Sequence, residues 1–294
     1  MKLNRGALLV LLFAGICYEG RTQSIVANGA TLHEVGSGFS FTEGPVCDKK
    51  GDVYFTDQPN NRIWKYADGK LSIYLEPAGR ANGMFFDGEG NLIACADEHN
   101  ELWLIKKDKS IQKLVTSYND STLNGPNDVW VSPSGIIYFT DPYYQRDYWT
   151  RQAPEMKVMA LYMLKPGGTA TRIDGDFKQP NGIIGSEDGK LLYVADIGDG
   201  KIYRYAIDKN GIPATKTAFV PQGCDGMTID TKGNLYLAGN GVTVYNNKGK
   251  KIDHIEVPAK WTGNICFAGA KRDMLFITAS EKVFTIKTNT RGVK

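Results

Sequence analysis

The sequence predicts an all-β fold, a six-bladed β-propeller with four antiparallel strands per blade. Three observations predict it. One strand-turn-strand signature recurs six times, its spacing suits a propeller blade, and an early strand is available to complete the last blade.

The signature reads GDVYFTD (51–57), GNLIACAD (90–97), GIIYFTD (135–141), GKLLYVAD (189–196), GNLYLAGN (233–240) and DMLFITAS (273–280). Each copy begins in a turn, runs through a short apolar strand and stops on a small or polar residue. Those end residues are Asp57, Asp97, Asp141, Asp196, Asn240 and Ser280, with successive gaps of 40, 44, 55, 44 and 40 residues. That period is too long for a leucine-rich repeat and suits a four-stranded blade.

A first strand precedes each signature, in TEGPVCD, ANGMFFD, PNDVWVS, PNGIIGS, CDGMTID and GNICFAG. Aligned, these place Glu43, Asn82, Asn127, Asn181, Asp225 and Asn264 at one equivalent position, 14 to 16 residues before the end residue. Third strands follow in RIWKYA, ELWLIKK, MALYMLK, KIYRYAI, VTVYNN and KVFTIKT. Fourth strands follow in LSIYLE, SIQKLVT, TRIDGDF, TKTAFV and KIDHIEV. The chain ends before a fourth strand of the sixth repeat, which would leave a bare edge. The segment Thr31–Val35 can supply that strand and tie the ring shut. Residues 23–294 are therefore expected to form one propeller domain.

Composition narrows the function. A formal charge of +3 over 294 residues, with no block of Lys and Arg, gives no electrostatic basis for binding nucleic acid or an anionic membrane. Residues 1–22 read as a secretory signal: Lys2 and Arg5 precede the apolar run Ala7–Ala14, and small residues follow near Gly15. The run is too short for an ordinary membrane span. The expected mature protein is exported, periplasmic or extracellular, with no membrane-spanning segment. Cys17 raises lipid anchoring, but Ile16 stands where a small residue would precede a lipidated cysteine. The other four cysteines form no C-x-x-C pair and fall in or beside apolar strands, which predicts buried thiols. The sequence leaves the oligomeric state open.

The topology also predicts a site. First strands line the channel of a propeller, so the six opening residues should converge at one mouth. Glu43 and Asp225 are acidic and the other four are Asn, with no cation among them. Carboxylates held close together away from water repel each other. A divalent ion would cancel their charge, and carboxylate and amide oxygens suit a hard ion such as calcium. Zinc or manganese is a further choice. The alternative is a polar, water-filled channel without an ion. The longest connection between second and third strands, 142–157, carries Tyr143, Tyr144, Arg146, Tyr148, Trp149 and Arg151 and should overhang the same mouth. His99, just after Asp97, is expected at this rim as a proton donor or acceptor. Asn82, His99 and Tyr144 are the expected substrate contacts. No G-x-S-x-G, H-E-x-x-H, Walker or Rossmann pattern is present.

At FTEGPV (41–46), PNNRIWKY (59–66), ANGMFFD (81–87), LNGPNDVWVSPSGIIYFTDPYY (123–144), QPNGI (179–183), LLYVAD (191–196) and CDGMTID (224–230) the sequence resembles the gluconolactonase family, related to regucalcin. The ordered set spans roughly residues 31–287. The resemblance implies a six-bladed propeller with one divalent metal at a channel mouth, commonly calcium or zinc, and hydrolysis of sugar lactones and related cyclic esters. It implies Glu43, Asn127, Asn181 and Asp225 as metal ligands, with Asp225 also the catalytic acid/base. Cys224, directly before Asp225, departs from the family pattern. Two other functions stay open from the residues alone: a non-catalytic propeller that binds carbohydrate or protein, and an esterase or acyl-lactonase of the same fold.

Overall fold

A computed structural model describes residues 24–293. The expected signal 1–22, with Cys17, lies outside the described residues. All regular elements among them are strands, arranged as six four-stranded antiparallel sheets. Strand β1 (His33–Ser37) comes first. Blade 1 is β2 (Thr42–Cys47), β3 (Val53–Asp57), β4 (Arg62–Ala67) and β5 (Lys70–Leu75). Blade 2 is β6 (Ala81–Phe86), β7 (Leu92–Ala96), β8 (Glu101–Ile105) and β9 (Ile111–Val115). Blade 3 is β10 (Val129–Val131), β11 (Ile137–Asp141), β12 (Met159–Leu164) and β13 (Ala170–Phe177). Blade 4 is β14 (Pro180–Gly185), β15 (Leu191–Asp196), β16 (Lys201–Ile207) and β17 (Pro213–Val220). Blade 5 is β18 (Met227–Ile229), β19 (Leu235–Gly239), β20 (Gly241–Tyr245) and β21 (Lys251–Ile255). Blade 6 is β22 (Asn264–Ala268), β23 (Met274–Ala279) and β24 (Lys282–Lys287), completed by β1.

The closing strand sits two residues later than the sequence suggested, pairing His33 with Thr285 and Ser37 with Lys282. An irregularity between Glu34 and Gly36 accommodates the join. Upstream of it, Ile25 is buried in the cluster formed by blades 5 and 6, and Ala27 N–H donates to Lys287 O at 3.0 Å. The closure is therefore both a sheet pairing and a hydrophobic plug.

The turns between first and second strands explain why each signature begins at a glycine or acid. In blade 5, Asp230 Oδ1 accepts from Lys232 N–H and Asn234 N–H, both at 2.9 Å. Gly233 takes the left-handed conformation (φ +77°) that completes the turn at no side-chain cost. Second strands are buried on both faces, as in β3 and β11, because they are sandwiched between adjacent blades. Aromatic rings fill these seams: Trp130 stacks on Tyr138 and Phe139 on Tyr162, with centroids 5.5 and 5.2 Å apart. The four described cysteines, Cys47, Cys95, Cys224 and Cys266, are buried and unpaired. No helix among the described residues is long and apolar enough to cross a membrane.

Candidate active site

The end residues of the signature do more than mark a strand. Asp57 Oδ1 accepts from Ser40 and Phe41 N–H at 3.1 and 3.2 Å. Asp141 accepts from Asn124 and Gly125 N–H at 2.9 and 2.8 Å, and Asp196 from Lys178 and Gln179 N–H at 2.9 and 2.8 Å. Ser280 Oγ accepts from Trp261 N–H at 3.0 Å. In each case the bonded loop delivers the opening residue of that blade, two or three positions on. A buried polar side chain at the end of strand two thus fixes the backbone from which a site residue projects.

The opening residues are drawn together by contacts between blades. Gly83 N–H donates to Asn127 O, Gly182 N–H to Asp225 O and Gly226 N–H to Gly263 O, at 2.7 to 2.8 Å. A Cβ on Gly226 would lie 1.9 Å from the Asn264 side chain, so no larger residue fits without displacing it. Blade 3 differs, because Asp128 stands where blades 1, 2, 4 and 5 have glycine. Its carboxylate turns into the channel and accepts from Val129 and Ile183 N–H at 2.9 and 3.2 Å.

The result is a cavity of about 270 Å³ lined by Glu43, Asn82, Asn127, Asn181 and Asp225, with Tyr144 from the long loop. Asn264 is buried against Glu43 and Asp128 just beneath. Six of the seven sequence-selected residues therefore share one cavity. His99 does not: it is exposed on the turn after β7 and is absent from the lining. The reason is local. Asp97 takes the inward position there, and the 142–157 loop covers it.

Five lining residues were not singled out as site residues: the apolar Phe41 and Ile197, and Gln58, Arg146 and Trp261, which carry polar groups. Trp261 Nε1 donates to Asp225 Oδ2 at 2.7 Å. Arg146, read only as part of the loop, is the cationic group of the lining, and Gln58 follows Asp57 at the end of β3. A tryptophan three residues before an opening residue was the available signal for Trp261. The missing glycine after Asn127 was the signal for Asp128.

The electrostatics are unfavourable in the bare protein. Glu43 is 3% exposed, and burial pushes its pKa well above the carboxylate range, with the Asp225 and Asp128 charges adding to the rise. Burial also raises Asp225 to about 6, against opposing hydrogen bonds from Trp261 and Asn181 and the nearby Arg146 charge. Asp128 rises to about 7, again mainly through burial. No group of three or more His, Cys, Asp or Glu capable of holding a metal occurs among the described residues. The cavity instead mixes two carboxylates with four carboxamides, those of Gln58, Asn82, Asn127 and Asn181. Such an all-oxygen set suits a hard divalent ion, whose charge would offset the penalty on Glu43 and Asp225.

Fold and cavity together define a six-bladed propeller with an oxygen-donor site at one end of its channel. Residues 41–281 match the family described as SMP-30/Gluconolactonase/LRE-like region, and the chain belongs to that family. A gluconolactonase of Zymomonas mobilis is 30% identical, over 94% of this chain and 86% of its own. The solved structure of a gluconolactonase from Xanthomonas campestris superposes with a TM-score of 0.83 at 25% identity, over 90% and 91% of the two chains. A calcium-binding regucalcin from Agrobacterium tumefaciens, 21% identical, shares the fold with a TM-score of 0.77 over 90% and 95%.

Proposed function

We propose that this protein is a lactonase that opens sugar lactones, with Asp225 as its acid/base and Glu43, Asn127, Asn181 and Asp225 as the holders of one divalent ion. The observation that carries the reading is the meeting of Glu43 from blade 1 and Asp225 from blade 5 in one cavity with the carboxamides of blades 2, 3 and 4. The gluconolactonase activity named for the Zymomonas mobilis relative supports the substrate class. The oxygen donors favour calcium, with zinc or another divalent ion as alternatives. When bound, the ion supplies Lewis-acid polarisation of the lactone carbonyl.

The chain's own residues supply the rest. Asp225 accepts a hydrogen bond from Trp261 Nε1, and the Asn181 amide beside it adds to the same effect; both favour the carboxylate that a general base requires. In the hydrolytic step Asp225 takes a proton from water as the water oxygen bonds to the acyl carbon. The acyl–oxygen bond of the ring then breaks, and Asp225 returns the proton to the departing ring oxygen. Asn181 Nδ2 donates to Tyr144 OH at 2.9 Å, so the tyrosine's own hydrogen is available to a ligand oxygen. Asn82 adds a further polar contact in the lining.

Asp225→Asn should reduce lactone hydrolysis by roughly 10²- to 10⁴-fold with the thermal midpoint little changed. Parent-like turnover by the purified variant would refute the assigned role.

A further inference from the structure

Asp97 is an exception among the signature aspartates. Its counterparts Asp57, Asp141 and Asp196 each hold the loop that enters their own blade. In blade 2 Asn61 does that work, its Oδ1 accepting from Ala78 and Arg80 N–H at 2.9 and 2.7 Å. Asp97 is left free for another task. Its side chain is 3% exposed, and its Oδ2 accepts from Arg146 Nε at 2.9 Å, Gln58 Nε2 at 3.2 Å and the Tyr148 hydroxyl. Its backbone oxygen accepts from Trp149 Nε1 at 2.8 Å.

These bonds hold a guanidinium at the cavity by one edge. Arg146 is the one cationic side chain of the lining, and its Nη atoms have no hydrogen-bond partner among the described residues. A guanidinium fixed through Nε keeps its other N–H groups aimed in a set direction. Two such donors match a pair of adjacent oxygens on a ligand. A lactone without ring hydroxyls offers only its two ester oxygens; a polyhydroxylated one adds pairs of vicinal hydroxyl oxygens.

Building on the lactonase reading, we propose that Arg146 anchors the ring hydroxyls of a polyhydroxylated lactone and that Asp97 is the positioning residue that aims it. The pair selects sugar lactones over lactones that lack hydroxyls.

The test compares D-glucono-1,5-lactone with δ-valerolactone, which has the same six-membered ring ester and no hydroxyls. Arg146→Met should lower the ratio of kcat/KM for gluconolactone over δ-valerolactone by roughly 10- to 100-fold, mostly through KM for gluconolactone, since any effect of the lost charge on Asp225 falls on both lactones alike. Asp97→Asn should give a smaller loss of the same kind, and the double variant should be no worse than Arg146→Met alone. Arg146 is partly exposed at the cavity, so its truncation leaves the core intact and the test does not depend on the buried Asp97. Equal losses on both lactones, no loss on either, or a parent that hydrolyses only δ-valerolactone would overturn the anchor. A parent that hydrolyses neither lactone removes the lactonase reading, and calorimetry with 1,5-anhydro-D-glucitol, a neutral six-membered ring that carries the hydroxyls, then decides the anchor separately. Binding weakened at least about 10-fold in Arg146→Met upholds it; undiminished binding, or none by the parent, overturns it.

Discussion

Replacing Trp261 by Phe tests how the cavity tunes its base. The substitution keeps an aromatic wall and removes one donor, the indole N–H that lies 2.7 Å from Asp225 Oδ2. A hydrogen bond to an ionised acceptor contributes roughly 1.5–3 kcal/mol when shielded from water. Trp261 is 36% exposed, so water competes for the carboxylate and a value of about 1 kcal/mol is appropriate. At 1.36 kcal/mol per pKa unit, Asp225 should become a weaker acid by about 0.7 unit. The sign follows from the role: the base works ionised, so its rise moves the acidic limb of the profile to higher pH. Initial rates of gluconolactone opening, followed from about pH 5 to about pH 8 as kcat/KM, would show that shift with the plateau reduced less than about 3-fold. A limb that stays in place, or moves to lower pH, would refute both the bond's effect and Asp225 as the titrating base.

Two further outcomes follow from the packing and the buried charges. Gly226→Ala puts a methyl group 1.9 Å from the Asn264 side chain, an overpacking that should lower stability by about 1–3 kcal/mol in urea unfolding; an unchanged midpoint would contradict the close approach of blades 5 and 6. In chelator-treated protein, Asp225 (about 6), Asp128 and Asp141 (each about 7) keep protons in the fold that the unfolded chain has already lost. Stability should therefore fall as pH rises from about 4 to about 7, and added divalent ion should recover part of the loss; stability that rose across that window would contradict the burial. Carboxylates held low by partners, such as Asp199 between Lys178 and Lys201, act below this window and do not reverse the trend.

Much of the fold was legible because a propeller repeats its instructions. The apolar run between a turn glycine and a polar stop, read six times, set the second strands, and the opening residues aligned from spacing alone. The closing strand was found from topology, although its bounds, His33–Ser37, lie two residues beyond the expected 31–35, since a partly exposed strand such as β1 carries little hydrophobic pattern. The site was legible where it follows the repeat and illegible where it leaves it. Glu43, Asn82, Asn127, Asn181 and Asp225 hold equivalent positions and share the cavity. Arg146 comes from the long 142–157 connection, which the other blades lack, and Trp261 from a blade-entry loop whose counterparts carry no tryptophan, so the repeat points to neither. His99 lies outside that lining, since nearness to Asp97 in sequence says nothing of which side of the turn faces the channel. Asp97 itself shows the limit of reading a repeat literally, since its role passed to Asn61 and its carboxylate took up the loop instead.

The proposed lactonase rests on Glu43 and Asp225 holding a doubly charged ion between them. Titration of calcium into chelator-stripped protein, monitored by calorimetry, tests this directly. One site per chain is expected in the parent and none in the Glu43→Gln, Asp225→Asn double variant, with the variant shown to be folded by circular dichroism. Calcium binding of parent stoichiometry and affinity in that folded variant would contradict it.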